Sequence, residues 1–382
     1  MTADLRRRVT RLAGPDVDPD RLAGTLAWVV DPARTLAGLR HAVDQQRAGT
    51  DVAGALDAVL RPPADHLVAA IAELVGTWLD LGVQVATVGD DAYPAGCRAG
   101  WPHVDAPPLL AWRGRPPGDG PTVAIVGARR ATGYGTGVAA WLASAVADAG
   151  ACVVSGGAVG IDAAAHLAAL EAPGGTTVVL GCGHAVRYPR PHAGPGGLFD
   201  RIVDHGGTVL SEQLPHAPAA PFNVRARNRI VAGLADVVVV VEGGARSGAL
   251  VTATEAAERG TPVLAVPGDV RAPGSVAPHR LLAEGAGPCT SPSDVLGLLG
   301  GATVESPTGS GSERSSDVSV SVLPADVHAE LVAAWPRPLL VDDLAARTGR
   351  PAAVLLGALT RARVAGETAD DASGIRLRRA PR

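Results

Sequence analysis

Val123-Ala124-Ile125-Val126-Gly127-Ala128-Arg129-Arg130, with Gly133-Tyr134-Gly135-Thr136-Gly137 close behind it, is the stretch on which the reading of this chain turns. A short apolar run predicts a buried strand, and the glycines let the backbone turn sharply into a helix. A helix that opens just after a strand presents free N–H groups and the positive end of its dipole, so the turn is expected to be an anion site. Arg129 and Arg130 stand in the turn itself, which points to phosphate.

Outward from this turn, strand-like and helix-like segments alternate between Pro121 and Gly300. The strand candidates are Val123–Val126, Cys152–Ser155, Thr177–Leu180, Thr208–Leu210, Val237–Val241 and Val263–Val266. Helical patterns fall between them, near 137–149, 160–170, 197–205, 224–234 and 248–259. The all-valine run is what a central strand covered on both faces requires. The rhythm predicts an α/β fold with a doubly wound parallel sheet.

In such a sheet, ligands gather at the carboxyl ends of the strands. The loops leaving those ends carry Gly127-Ala128-Arg129-Arg130, then Ser155-Gly156-Gly157-Ala158-Val159-Gly160-Ile161-Asp162, then Gly181-Cys182-Gly183-His184, and later Glu242-Gly243-Gly244-Ala245-Arg246-Ser247-Gly248. Phe222-Asn223-Val224-Arg225-Ala226-Arg227-Asn228-Arg229 precedes the last of these. One glycine turn is as often only a tight turn. Several on one sheet edge, with arginines among them, predict an anion-binding groove, because arginine forks match phosphate oxygens and a row of them tracks a sugar-phosphate backbone. A single strand of nucleic acid also needs stacking faces, for which Phe222, Tyr134 and Tyr188 are candidates and core packing is the alternative. Asp162 either caps a helix or orients an arginine.

The flanks say less. The N-terminal residues place apolar side chains at helical spacing (Leu22, Leu26, Val29; Leu67, Ala70, Ile71, Leu74), and Val83–Trp112 reads as an irregular lead-in. A Gly/Ser/Thr-rich stretch after Gly300 reads as a flexible linker, and the remainder as two helices across a turn. The chain has 382 residues and a formal net charge of −4, so any nucleic-acid site has to be a local basic patch. Its 34 basic residues are all arginine. Cys97, Cys152, Cys182 and Cys289 lack CxxC spacing and are expected as free thiols in a reducing compartment. No apolar run approaches a membrane span and no signal-peptide core is present, so a soluble cytoplasmic protein is expected. No histidine set has metal-ligand spacing, no GxSxG elbow occurs, and neither a cofactor nor a catalytic centre is expected.

These segments together resemble the DNA-processing protein A family (DprA, also called Smf). The resemblance rests on Val123–Arg129, Ser155–Asp162 with Ala163-Ala164-Ala165-His166, Val179–Gly183, Arg227–Leu234, Arg246–Ala253 and Ala265-Val266-Pro267-Gly268. It implies an extended Rossmann-like, mostly parallel sheet over residues 79–300, a small SAM-like helical domain over 1–78, a linker over 301–322 and a winged-helix-like domain over 323–382. It further implies a non-enzymatic homodimer that binds single-stranded DNA and loads the RecA recombinase in natural transformation. Carried over by position, Gly127 gives close backbone approach and Arg129 grips a phosphate. Arg227 and Arg229 line the groove, Phe222 is a stacking candidate, and Arg246, Ser247 and Gly248 complete the pocket; the loops themselves add Arg130, Gly156, Gly157, Gly160, Arg225 and Asn228 to the same expected site. Ala128 stands where the family usually has Ser or Thr, Val159 where it usually has arginine, and the spacing from Phe222 to Asn228 is longer than usual.

The competing readings are a related lysine-decarboxylase-like phosphoribohydrolase, an NAD(P) oxidoreductase, and a scaffold that kept the fold but lost DNA binding. The first needs a PGGxGTxxE-like signature, which Gly243-Gly244-Ala245-Arg246-Ser247-Gly248 does not supply. The second needs GxGxxG and an acid closing the second strand, and both are missing.

Overall fold

The computed structural model describes residues 1–34, 36–46, 51–98, 106–118, 120–299 and, beyond them, 325–334, 339–348, 355, 359, 368–371 and 374–377. Nine strands form one sheet: β1 (Gln84–Thr87), β2 (Leu109–Gly114), β3 (Thr122–Val126), β4 (Cys152–Ser155), β5 (Thr176–Val179), β6 (Thr208–Ser211), β7 (Val237–Val240), β8 (Val263–Ala265) and β9 (Gly287–Pro288). Their order is β1-β2-β6-β5-β4-β3-β7-β8-β9. From β6 to β9 all neighbours are parallel, and every residue of β3 and β7 is buried, as strands covered on both faces must be. The α/β class and the six strands expected from the sequence are therefore present, within a residue or two at their ends.

The lead-in expected to be irregular supplies β1 and β2: β1 pairs with β2 and β2 with β6, both antiparallel, and they extend the sheet. Four residues of β1 are too few to show a period, and three of them are buried. The helical segment expected at 224–234 is two short helices, Pro221–Ala226 and Asn228–Leu234, meeting at Arg227.

From β3 the chain winds through β4 and β5 to β6 on one side, then returns to β7 on the other side of β3. The loops leaving β3 and β7 therefore part from each other, which opens the crevice where sheets of this kind bind ligands. Valines and alanines of the sheet alternate between two cores. Ala124, Val126, Val238 and Val240 face one, and Val123, Ile125, Val237 and Val239 the other.

The first core is shared with the N-terminal helices Ala3–Ala13, Pro19–Val30, Leu36–Gln46, Val52–Val59 and Asp65–Asp80. Leu67, Ile71, Val75 and Trp78 lie on one face of the last of these and are buried. Arg21 ties the segment to the sheet's lead-in through Nη1, 2.7 Å from Asp90 Oδ1, while its Nε holds Asp57 Oδ1 of the helix Val52–Val59 at 2.8 Å. Residues Met1–Glu305 thus form one compact unit and Ser306–Arg382 another. In the second unit, helices Ala325–Ala334 and Val341–Thr348 and an antiparallel pair of strands, Thr368–Asp371 with Gly374–Leu377, accompany a core of Val327, Leu331, Leu344 and Leu355. The expected linker at 301–322 and most of the second expected C-terminal helix lie outside the described residues.

Candidate functional site

Gly127 ends β3 where no side chain fits: a Cβ there would lie 2.7 Å from Ile161 Cγ1 and 2.9 Å from the Glu242 carbonyl. Ala128, Arg129 and Arg130 follow, and both arginines are exposed. Arg129 Nη1 donates to the Tyr188 hydroxyl at 3.2 Å. The helix Gly133–Asp148 then opens at Thr132, whose hydroxyl accepts from Gly135 N at 3.1 Å. This N-terminus is not the open anion site that the sequence suggests. The Thr132 N–H donates to Glu242 Oε2 at 2.9 Å and its hydroxyl donates to Glu242 Oε1. Gly135 is glycine for the same reason, since a Cβ there would collide with the Glu242 carboxylate.

The second glycine loop leans on the first. Gly157 and Gly160 have φ of +70° and +90°, which side chains resist. A Cβ on Gly160 would come 2.7 Å from the Arg129 carbonyl, and Ile161 N donates to the Ala128 carbonyl at 3.2 Å. Beyond them Asp162 is buried and accepts from Ala158 N at 3.3 Å. Burial holds its carboxyl above the ordinary range, against the pull of Arg227. One turn later, the fully buried His166 places Nδ1 2.7 Å from Thr176 Oγ1. The Thr176 hydroxyl gives its own proton to the Val153 carbonyl, so His166 donates through Nδ1. Burial lowers its pKa to about 3, with His192 and Arg227 adding to the effect.

The arginine run divides. Arg225 is exposed, while Arg227 and Arg229 are buried. Arg227 Nη1 donates to the carbonyls of Gly156 and Val179, its guanidinium occupies the space a Cβ on Gly156 would need, and burial lowers its pKa. Arg229 turns to Glu212 and grips it with both forks, Nη1 to Oε1 at 2.8 Å and Nη2 to Oε2 at 2.5 Å. Asn228 Nδ2 donates to the Gly248 carbonyl at 3.2 Å, which anchors the loop of Glu242–Gly248. In that loop Arg246 is exposed, and Ser247 caps the helix Gly248–Glu258 by accepting from Ala249 N.

These loops enclose an open cavity of about 900 Å³. Gly127, Ala128, Arg129, Gly156, Arg225, Arg227, Asn228, Arg246, Ser247 and Gly248 line it, joined by Asp162, Tyr188 and Thr252. A side chamber of about 60 Å³ adds Gly157 and Val159. Arg130, Gly160, Phe222 and Arg229 belong to neither wall. Phe222 is 79% exposed, and Tyr134 turns elsewhere, donating its hydroxyl to the Pro267 carbonyl at 2.8 Å. Tyr188 is the aromatic side chain in both walls. Glu242 escaped the sequence reading as a site residue, although a carboxylate directly after five valines was a visible signal. Among the described residues no group of His, Cys, Asp or Glu is placed to hold a metal ion. The four cysteines are free, and three of them are buried. A wall of guanidinium and backbone groups around an open cavity is equipped to bind anions.

A family model for DNA recombination-mediator protein A matches residues 84–300, more than half of the chain. The protein Smf of Escherichia coli is 36% identical over 260 residues, which cover 68% of this chain and 68% of the relative. The DNA processing protein DprA of Bacillus subtilis is 31% identical over 241 residues, covering 63% of this chain and 79% of that protein. The X-ray structure of DNA processing protein A from Streptococcus pneumoniae is similar with a TM-score of 0.52 at 30% identity, covering 78% of this chain and 98% of that one. The match spans β1 to the end of the sheet and with it every loop of the cavity, so the chain belongs to the DNA recombination-mediator protein A family (DprA/Smf).

Proposed function

We propose that the cavity holds the sugar-phosphate backbone of single-stranded DNA and that the protein presents this strand to the RecA recombinase. The observation that carries the reading is the convergence of three exposed arginines, Arg129, Arg225 and Arg246, from three separate segments on one open cavity at the switch point of the sheet. Guanidinium forks suit phosphate oxygens, and an open trough suits a polymer better than a free nucleotide. Tyr188, held by Arg129, offers a face for a base. Where the family usually has Ser or Thr, Ala128 removes a hydroxyl donor, and Val159 stands exposed where it usually has arginine. The exposed cations of the rim carry the binding in their place. The family's role as a recombination mediator agrees with binding without chemistry on the strand. The homodimer, the SAM-like reading of the N-terminal helices and the winged-helix reading of the C-terminal unit belong to the same proposal. The helices of the first unit, and the helices and antiparallel strand pair of the second, support these two domain readings.

The test is a gel shift with single- and double-stranded oligonucleotides over a series of salt concentrations, with and without RecA. Preference for the single strand and a ternary complex are expected. Arg129→Ala should weaken binding and flatten the salt dependence by about 0.7 in log–log slope for each phosphate that is no longer neutralised. Unchanged affinity and slope would remove the cavity from the mechanism, and indifference to strandedness would remove the ligand.

A further inference from the structure

The helix Gly133–Asp148 starts at the switch point between β3 and β7, where the open sheet would offer its seat for a nucleotide phosphate. A side chain of the protein is already in that seat. Glu242 is 6% exposed, and among the described residues its carboxylate bonds to Thr132 and not to an arginine. Its two oxygens accept from the N–H and the hydroxyl of Thr132, the residue that caps the helix. Its place is fixed from both sides. Val241 N donates to the Val126 carbonyl at 3.0 Å, and Gly243 N to the Gly274 carbonyl at 2.7 Å. Gly135 leaves the carboxylate its room, since a Cβ there would collide with it. A buried carboxylate without a cation is costly unless donors and a dipole compensate it, and the start of a 16-residue helix supplies both.

We infer that Glu242 is a built-in anion which fills the phosphate seat of the fold and keeps nucleotide phosphates out of it. Anions then enter from the arginine side only, through Arg129, Arg225 and Arg246. Glu242 is thus a specificity-determining residue: it turns a nucleotide-type crevice into one that recognises phosphates at its rim. The inference does not depend on what occupies the rim.

The experiment compares wild type, Glu242→Ala and Glu242→Gln. Thermal unfolding is followed with sodium formate against sodium chloride at equal ionic strength, and inorganic phosphate binding is measured by calorimetry. Formate carries the missing carboxylate. The alanine variant should melt lower and recover by about 2 °C once formate exceeds its dissociation constant roughly tenfold. Wild type and the glutamine variant, whose seats are full, should respond to formate no more than to chloride. The alanine variant should also bind one phosphate more than wild type. A formate response shared by all three proteins or absent from all, or no additional phosphate, overturns the inference. If the alanine variant does not fold, the glutamine variant decides. It keeps the volume but sets an amide against the Thr132 donors, so its Tm must fall, and an unchanged Tm overturns the inference. No nucleic acid enters the readout, so this result and the test of strand binding can fail separately.

Discussion

Arg129, Arg225 and Arg246 stand exposed on the rim of the cavity, whereas Arg227 and Arg229, from the same short run as Arg225, are each 6% exposed beneath it. The rim arginines keep their donors turned to solvent, apart from the hydrogen bond of Arg129 with Tyr188. The buried pair spends its donors inside the protein, on the Gly156 and Val179 carbonyls in one case and on Glu212 in the other. The same side chain therefore faces solvent with its donors above and serves as a brace below. The difference shows that a row of arginines in sequence is no guide to a row in space. What separates them is whether the chain around each one leaves it facing water or a set of orphaned carbonyl and carboxylate oxygens.

The strongest challenge to this division is Arg229→Ala. It strands the Glu212 carboxylate, whose side chain is 6% exposed, and should cost about 3–5 kcal/mol in urea unfolding, whereas a solvated arginine would change stability by less than about 0.5 kcal/mol. Replacing both partners with apolar residues of similar size should recover most of the loss, because the pair itself is close to neutral against a packed core.

Next in size, Gly160→Ala puts a side chain at φ +90° against the Ala128 and Arg129 carbonyls. A loss of about 1–3 kcal/mol is expected, together with weaker strand binding, because the second loop would push the rim's first turn out of place. Normal stability in this variant would show that the two loops are not coupled.

The buried layer also titrates. His166 falls from an ordinary 6.5 to about 3 through burial, and desolvation takes the half-buried His184 to about 4 against its hydrogen bond with the Ala111 carbonyl. With folded pKa values below the unfolded ones, the unfolded chain binds more protons in the interval between them. The stability these groups contribute is therefore full above pH 6.5 and declines as the pH falls toward 4 and 3. Between pH 7 and 5.5 each histidine should remove on the order of 1 kcal/mol, and His166→Leu should remove one share of that slope. An unchanged slope in the variant would mean His166 takes up its proton without opening the fold.

Least visible in stability are Arg129→Ala and Arg246→Ala. Each should shift unfolding by less than about 0.5 kcal/mol while lowering affinity for single-stranded DNA. A large stability loss from either would erase the distinction between rim and brace.

Much of the architecture was legible in the sequence because it rests on local rules. Valine runs bounded by glycine and alternating with helical patterns are enough to place six of the parallel strands and the loops at their carboxyl ends. The two antiparallel strands were not legible, because β1 has four residues and its burial comes from distant helices. The cavity wall was read in good part: Gly127, Arg129, Gly156, Arg225, Arg227, Asn228 and Arg246 do meet. Arg130, Gly160, Phe222 and Arg229 lie off it, since their neighbours in space come from other loops or from solvent.

The opening turn shows where the two kinds of information part. Sequence alone determined that β3 runs into a glycine turn and a helix, because backbone freedom and apolar burial are local properties of the residues. It also determined the family, through the order of many such segments. Only the tertiary structure decided what the turn holds. Gly135 is small to admit Glu242, a residue 107 positions on, and the helix N-terminus is satisfied from within. The seat was filled by a strand pairing between β3 and β7, and strand pairing is a choice the whole sheet makes at once.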